Sequence, residues 1–119
     1  VKTWYNHRSE PYYTFVKNGQ KTIEGRLLKG KYAEISAGDH IFVQNDEETE
    51  SFEVVVVSTR RYTSFSEMLN GECLSKVLPN AKSVAEGVSI YRQFYSVEKE
   101  RQYGVVAIEV RMATPKTID

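Results

Sequence analysis

Gly19-Gln20-Lys21-Thr22-Ile23-Glu24-Gly25-Arg26 places three charged side chains of both signs within six residues, between an amphipathic helix and a strand. Ahead of it, Ser9 is positioned to cap the helix and Pro11 is tolerated in its first turn. Tyr12, Phe15 and Val16 form the apolar face, and Asn18-Gly19 supplies the stop. Residues 22–28 read as extended, so side chains alternate between two faces. Thr22, Glu24 and Arg26 then share one face, while Ile23 and Leu27 point to the other. Gly25 adds no side chain to that second face and lets a ligand or another backbone approach. Lys21 stands at the strand entrance. The expectation is a polar corner backed by core, with Lys21, Thr22, Glu24 and Arg26 as ligand-binding residues.

On either side of this block the chain alternates between strand and turn signals. Val1 to Arg8 reads as a strand, with Trp4 and Tyr5 suited to a half-buried surface. Lys29-Gly30-Lys31 and Ala37-Gly38-Asp39 are turns, the second opening a strand from His40 to Gln44. Residues 45–50 form a solvated acidic hairpin loop. Phe52 to Val57 is the strongest strand signal, and its four consecutive valines predict burial on both faces, with strand character extending to Tyr62.

A helical insert of about forty residues follows. Ser64 and Ser83 each precede a glutamate by three residues, the capping-box spacing. The first helix turns Phe65, Met68 and Leu69 inward; the second places Val84, Val88, Tyr91 and Tyr95 at helical spacing. Between them Leu74, Val77 and Leu78 form a short turn of helix before Pro79, and Ser96 to Glu100 forms a last one. Gly104 to Arg111 alternates, with Val106, Ile108 and Val110 on one face and Glu109 and Arg111 on the other. The tail 112–119 carries Pro115 and no pattern, and is expected to fray. This order reads as α+β: tight turns between short strands favour a small, partly closed barrel of mixed or antiparallel strands with flanking helices.

Composition narrows the function classes. The 119 residues make one domain, residues 1–119, long enough to bury about two-thirds of the unfolded surface. Sixteen Lys and Arg balance sixteen Asp and Glu, which excludes the broad positive field of a whole-surface duplex binder but leaves room for a local basic cleft. The single cysteine, Cys73, excludes an internal disulfide and reads as a small buried hydrophobe. With His7 and His40 it has no zinc-ligand spacing, so no metal or cofactor is expected. No run reaches the ~20 apolar residues of a membrane span, and the start lacks a signal pattern. A reducing interior, the cytoplasm, is the expected compartment. The chain opens on Val1 rather than methionine, which leaves a processed protein and an excised piece as open readings.

The ordered set Gly19-x-Lys21-Thr22-x-Glu24-x-Arg26, Gly38-Asp39, Tyr62-x-Ser64-Phe65 and Tyr103-Gly104-Val105-Val106-Ala107-Ile108-Glu109 resembles the ASCH domain of the PUA-like superfamily. It spans roughly residues 5–111, and the first block is its most specific part. Leu78-Pro79 through Tyr91-x-x-Phe94-Tyr95 is similar to small stand-alone members rather than to those attached to a zinc-ribbon transcription coactivator. The resemblance implies a five- or six-stranded β-barrel with flanking helices and a cleft walled by the Lys21–Arg26 strand. It implies work on RNA, by binding in most members and by catalysis in some. In an amidohydrolase subgroup that deacetylates N4-acetylcytidine, the lysine and first threonine match Lys21 and Thr22. A second, catalytic threonine stands there where this chain has Glu24.

The residues themselves leave three functions open. A binding module for RNA or a modified nucleoside would use Lys21 and Arg26 for phosphate, and Glu24 for a base's exocyclic amine. A hydrolase in the same cleft would use Lys21 to activate water or a hydroxyl and Glu24 to handle the proton. A protein-interaction adaptor would use neither. Glu24 can equally pair with Arg26 or Lys21 and hold them in place, since an unpaired buried charge is expensive. Trp4, Tyr5, Tyr12 and Tyr13 lie near the block as stacking candidates, and Lys29, Lys31, Arg60 and Arg61 as a basic rim. A Ser-His-Asp triad and a Walker phosphate loop have no counterpart.

Overall fold

A computed structural model describes residues 1–113 of the chain. Strand β1 (Thr3–Arg8) leads through helix α1 (Tyr12–Lys17) to β2 (Ile23–Leu27). A 3-10 turn (Gly30–Ala33) precedes β3 (His40–Asn45) and the long β4 (Ser51–Tyr62). Helices α2 (Phe65–Gly71), α3 (Leu74–Val77), α4 (Val84–Arg92) and α5 (Val97–Tyr103) fill the insert before β5 (Val105–Met112). The strands form one curled half-barrel in the order β1-β3-β4-β5-β2; β1 runs parallel to β3 and every other pairing is antiparallel. The architecture is the α+β, PUA-like one expected, left open between its two edge strands, β1 and β2.

The two-faced strand of this sheet is β5, not β4. Val106, Ile108 and Val110 enter the concave core with Ile41, Val43, Val54 and Val56. On the opposite face Val105 and Ala107 pack with Phe65, Met68, Leu69 and Tyr91 of the helical layer. Of the four valines of β4, Val54 and Val56 are buried but Val57 is 44% exposed, because the helices cover β5 and β2 and leave that stretch of β4 bare. Burying side chains as large as Phe65 and Met68 contributes roughly 1.5–3 kcal/mol each. Phe65 also stacks on Tyr91 at 4.2 Å and on Tyr95 at 5.3 Å between ring centroids, which ties the C-terminal end of α4 to the start of α2.

Helix α1 closes one end of the curl with Tyr13 and Val16. Its cap differs from expectation. Pro11 occupies the N-cap without a side-chain bond, Ser9 contributes only its carbonyl to Tyr13 N–H, and Glu10 accepts from Thr14 N–H at 3.0 Å. Glu10 follows Ser9, and its longer side chain takes the Thr14 N–H of the exposed first turn in the serine's place. The serines predicted to cap α2 and α4 do so: Ser64 accepts from Glu67 N–H and Ser83 from Glu86 N–H. Cys73 is exposed rather than buried: it stands at the N-cap position of α3, without a side-chain cap bond, and Val77 is the residue of that helix that turns inward. The last strand continues through Met112, and Ala113 N–H donates to the Glu53 carbonyl, so pairing extends into the segment expected to fray; residues 114–119 lie outside the described part. Among the described residues no helix is long and apolar enough to cross a membrane.

One buried carboxylate ties the N-terminus to this frame. Asp39 accepts from the Lys2 backbone N–H, Trp4 Nε1–H and the Ser36 N–H at 2.9–3.0 Å. Burial opposes its charge, but these donors and the N-terminal ammonium outweigh it and hold the pKa at about 2. An unfolded aspartate titrates near ~3.9. The folded value is the lower one, so this contribution is complete above about pH 4 and is lost as pH falls towards 2. Asp39→Asn is expected to lower unfolding free energy by about 1–3 kcal/mol at neutral pH. Denaturant titrations of both proteins should converge as pH drops from 4 to 2; a constant gap across that range contradicts the assignment.

Candidate functional site

The open seam of the half-barrel is where the charged block lies. Thr22 O accepts from Val110 N–H at 2.8 Å and Leu28 N–H donates to Gly104 O at 3.0 Å, so the peptides of residues 22, 24, 26 and 28 face β5. By the antiparallel alternation, those of Ile23, Gly25 and Leu27 face the free edge. Glu24 stands opposite Ile108 and Arg26 opposite Val106, which directs both side chains into the concave face. From the far edge Arg8, in step with Trp4 and Asn6 along β1, enters the same face.

Here the two edges meet. Arg8 Nη2 lies 3.1 Å from Glu24 Oε2, and Arg26 Nη2 lies 3.8 Å from the same oxygen. Arg26 also donates to Tyr95 Oη at 3.0 Å, and its guanidinium stands 5.3 Å over the Tyr32 ring. Burial works against the Arg26 charge, but Tyr32 and Tyr95 hold its pKa above the ordinary guanidinium value. Lys21 is buried, and its Nζ donates to the carbonyls of Ile23 and Val77 with Tyr12 stacked 5.8 Å away. Burial lowers the Lys21 pKa and raises that of Glu24, and each charge offsets part of the other's shift.

These groups line a pocket of about 300 Å3. Arg8, Lys21 and Arg26 face the single carboxylate Glu24, and Tyr12, Tyr32, Tyr91, Phe94 and Tyr95 supply aromatic walls. Four buried polar atoms at the pocket have no hydrogen-bond partner among the described residues: Arg8 Nε, Glu24 Oε1, Arg26 Nε and Tyr91 Oη. Burial raises the Tyr91 pKa, so the phenol is neutral and can donate or accept. The residues of the lining therefore carry two cationic N–H donors, one acceptor and one ambivalent hydroxyl that are buried without partners. Among the described residues no cluster of three His, Cys, Asp or Glu is arranged to hold a metal.

The sequence profile of the ASCH domain matches residues 8–113. The chain belongs to the ASCH domain family. Among solved structures, the crystal structure of hypothetical protein PH0355 is 43% identical, covers 93% of this chain and 99% of its own, and superposes with a TM-score of 0.84. The solution structure of protein PF0455 from Pyrococcus furiosus is 41% identical over 92% of this chain and 96% of its own, with a TM-score of 0.75. An ASCH domain from Lactobacillus crispatus, 14% identical over 91% of this chain and 79% of its own, shares the fold with a TM-score of 0.60. No curated protein gives a significant match.

Of the expected site residues, the ASCH fold brings Lys21, Glu24 and Arg26 to one pocket. Thr22 is not part of its lining; its backbone bridges Lys76 O and Val110 N–H. Of the stacking candidates only Tyr12 lines the pocket, since Trp4 is held by Asp39, Tyr13 is core and Tyr5 stacks on Phe42. Arg60 is no basic rim: Glu72 binds it through two oxygens at 2.7 Å and Glu109 at 3.0 Å. Arg8 was the main omission. The two-residue step Trp4-x-Asn6-x-Arg8 gives its face, but only the curl of the sheet shows which strand it meets.

Gly25 is required by the pocket wall. A Cβ at this position would lie 2.5 Å from Tyr91 Oη and 2.8 Å from Met68 Cε. Gly25→Ala is expected to cost about 1–3 kcal/mol by overpacking. Urea unfolding should register that loss, and Tyr91→Phe in the same background should recover part of it. An unaltered midpoint for Gly25→Ala contradicts the close approach.

Proposed function

We propose that this ASCH domain binds single-stranded RNA, or a modified nucleoside within it, by seating one base in the pocket at the seam. The observation that carries the reading is the set of four unpartnered buried polar atoms on Arg8, Glu24, Arg26 and Tyr91 around one hollow. Leaving such groups unpaired costs about 1–3 kcal/mol each, and a planar ligand with both donors and acceptors removes that cost. Three cations against one carboxylate favour a ligand that also carries negative charge. Exposed and half-buried rings at the mouth are the faces on which unstacked bases rest. The outward-facing peptide of Gly25 adds a main-chain donor and acceptor on the same wall.

Membership of the ASCH family, for which the sequence resemblance implies work on RNA, points the same way. Lys21 contributes charge and framework more than direct contact, because its head already donates to two carbonyls. One observation favours a second reading, hydrolysis in the same pocket. Lys21 and Glu24 line one pocket, where burial lowers the lysine pKa and raises the glutamate pKa, a perturbation common at sites of acid–base chemistry.

Titration of the 15N-labelled protein with the four 5′-ribonucleotides and short single-stranded RNAs tests the first reading. The expected shifts fall on Arg8, Gly25, Arg26, Tyr91 and Tyr95, and Arg26→Ala should weaken binding about tenfold or more. Shifts confined to other parts of the surface, or none with any base, contradict it. Incubation with N4-acetylcytidine separates the second reading: released acetate, abolished in Lys21→Met, supports hydrolysis, and binding without release leaves recognition alone.

A further inference from the structure

A second hollow, of about 620 Å3, opens beside the first and shares Tyr32, Phe94 and Tyr95 with it. Its charged lining is Lys29, Lys31 and Lys99; no aspartate or glutamate lines it. The chain as a whole is neutral, so this concentration is local. Elsewhere several cations are matched, Lys17 with Glu50, Arg60 with Glu72 and Arg92 with Glu100, and those that are not, such as Lys2, Lys76 and Lys82, line no shared hollow with one another among the described residues. Among the described residues none of these three lysines forms an ion pair. Lys29 and Lys99 instead share one ring, standing 5.0 and 5.9 Å over Tyr103. Lys31 donates to the Tyr5 carbonyl and stands 5.5 Å over Tyr32. Burial and the Arg26 charge lower its pKa, so the positive field of the pocket continues into the groove.

Phe94 joins the two hollows. It is 67% exposed, lines both, and leans on Tyr95 at 6.4 Å between centroids. An exposed ring beside unpaired ammonium groups is the arrangement that single-stranded nucleic acid uses, with bases on ring faces and phosphates on cations. We propose that the Lys29–Lys31–Lys99 groove carries the phosphates of nucleotides flanking the one seated in the pocket, with Phe94 as the platform for a neighbouring base. The ligand is then a single-stranded RNA gripped over several adjacent nucleotides, not a free nucleoside. This rests on the pocket binding a base, as proposed above.

The test compares the 5′-ribonucleotide that binds most tightly with a hexaribonucleotide of the same base, using the wild type, Phe94→Ala and the triple variant Lys29→Gln, Lys31→Gln, Lys99→Gln. The hexamer should bind at least about tenfold more tightly than the monomer in low salt. The triple variant should lose that gain while keeping its affinity for the mononucleotide. Its log–log salt slope should fall by about 2, the value for three phosphate contacts on a single strand. Phe94→Ala should weaken the hexamer by about fivefold or more. Circular dichroism melts should show the triple variant folded, with an unfolding temperature lower by no more than about 4–8 °C, since Lys29 and Lys99 are exposed and Lys31 gives up one hydrogen bond to the Tyr5 carbonyl.

A hexamer that binds no better than its monomer, or a gain that the triple variant retains, overturns the groove and leaves the pocket reading standing. Failure of every monomer and hexamer to bind overturns both. Polyglutamate that displaces the hexamer at equal charge concentration assigns the groove to acidic peptides and overturns its assignment to RNA.

Discussion

The contact of Arg8 with Glu24 joins two strands that share no backbone hydrogen bond. Strands β1 and β2 are the opposite edges of a five-stranded sheet, and only its curl brings them face to face. A sheet edge left bare exposes unpaired peptide groups and invites pairing with another chain. Here the edges are bridged by side chains at one end, and the space between them becomes the pocket. The carboxylate is shared, with one oxygen reaching both guanidinium groups and the other buried without a partner. In the proposed function, structure and recognition therefore draw on the same group. Glu24 offsets the repulsion between buried Arg8 and half-buried Arg26, and in the proposed function its unpartnered oxygen is the acceptor for a ligand.

What holds this arrangement in register lies on the other side of β2. Ile23 and Leu27 anchor the strand in the helical layer, and Gly25 between them lets the Tyr91 ring settle against the backbone. Tyr91 and Tyr95 both stack on Phe65, so the wall of the pocket is continuous with the core. Glu100, itself buried, accepts from Phe65 N–H and from Arg92, fastening α5 and the end of α4 to the start of α2. The pocket is set on packed elements, which is the condition for holding polar groups in position before a ligand arrives.

Much of this was legible in the residues. The alternation through 22–28 placed Glu24 and Arg26 on one face, and the capping serines marked where α2 and α4 begin. The ordered motifs pointed to the ASCH fold, which the profile match and the similar structures bear out. Local pattern failed where the outcome depended on distant neighbours. Four valines in a row look alike, yet only the position of the helical layer decides that β5 and not β4 is buried on both faces. Tyr91 and Tyr95 read as core by spacing, and their hydroxyls became pocket groups because the helix ends at the seam. Arg8 carried no motif at all. Its role follows from closure of the sheet, a long-range property that no window of sequence contains.

A double-mutant cycle on Arg8→Ala and Glu24→Ala, read by urea unfolding and by binding of one 5′-ribonucleotide, measures the central contact most directly. Groups that act together across the seam should show a coupling above about 0.5 kcal/mol in stability, and the single variants should each lose most of the ligand affinity that the double variant loses. Additive effects on both readouts, with binding indifferent to either residue, would show that the edges do not depend on each other and that the pocket is built some other way.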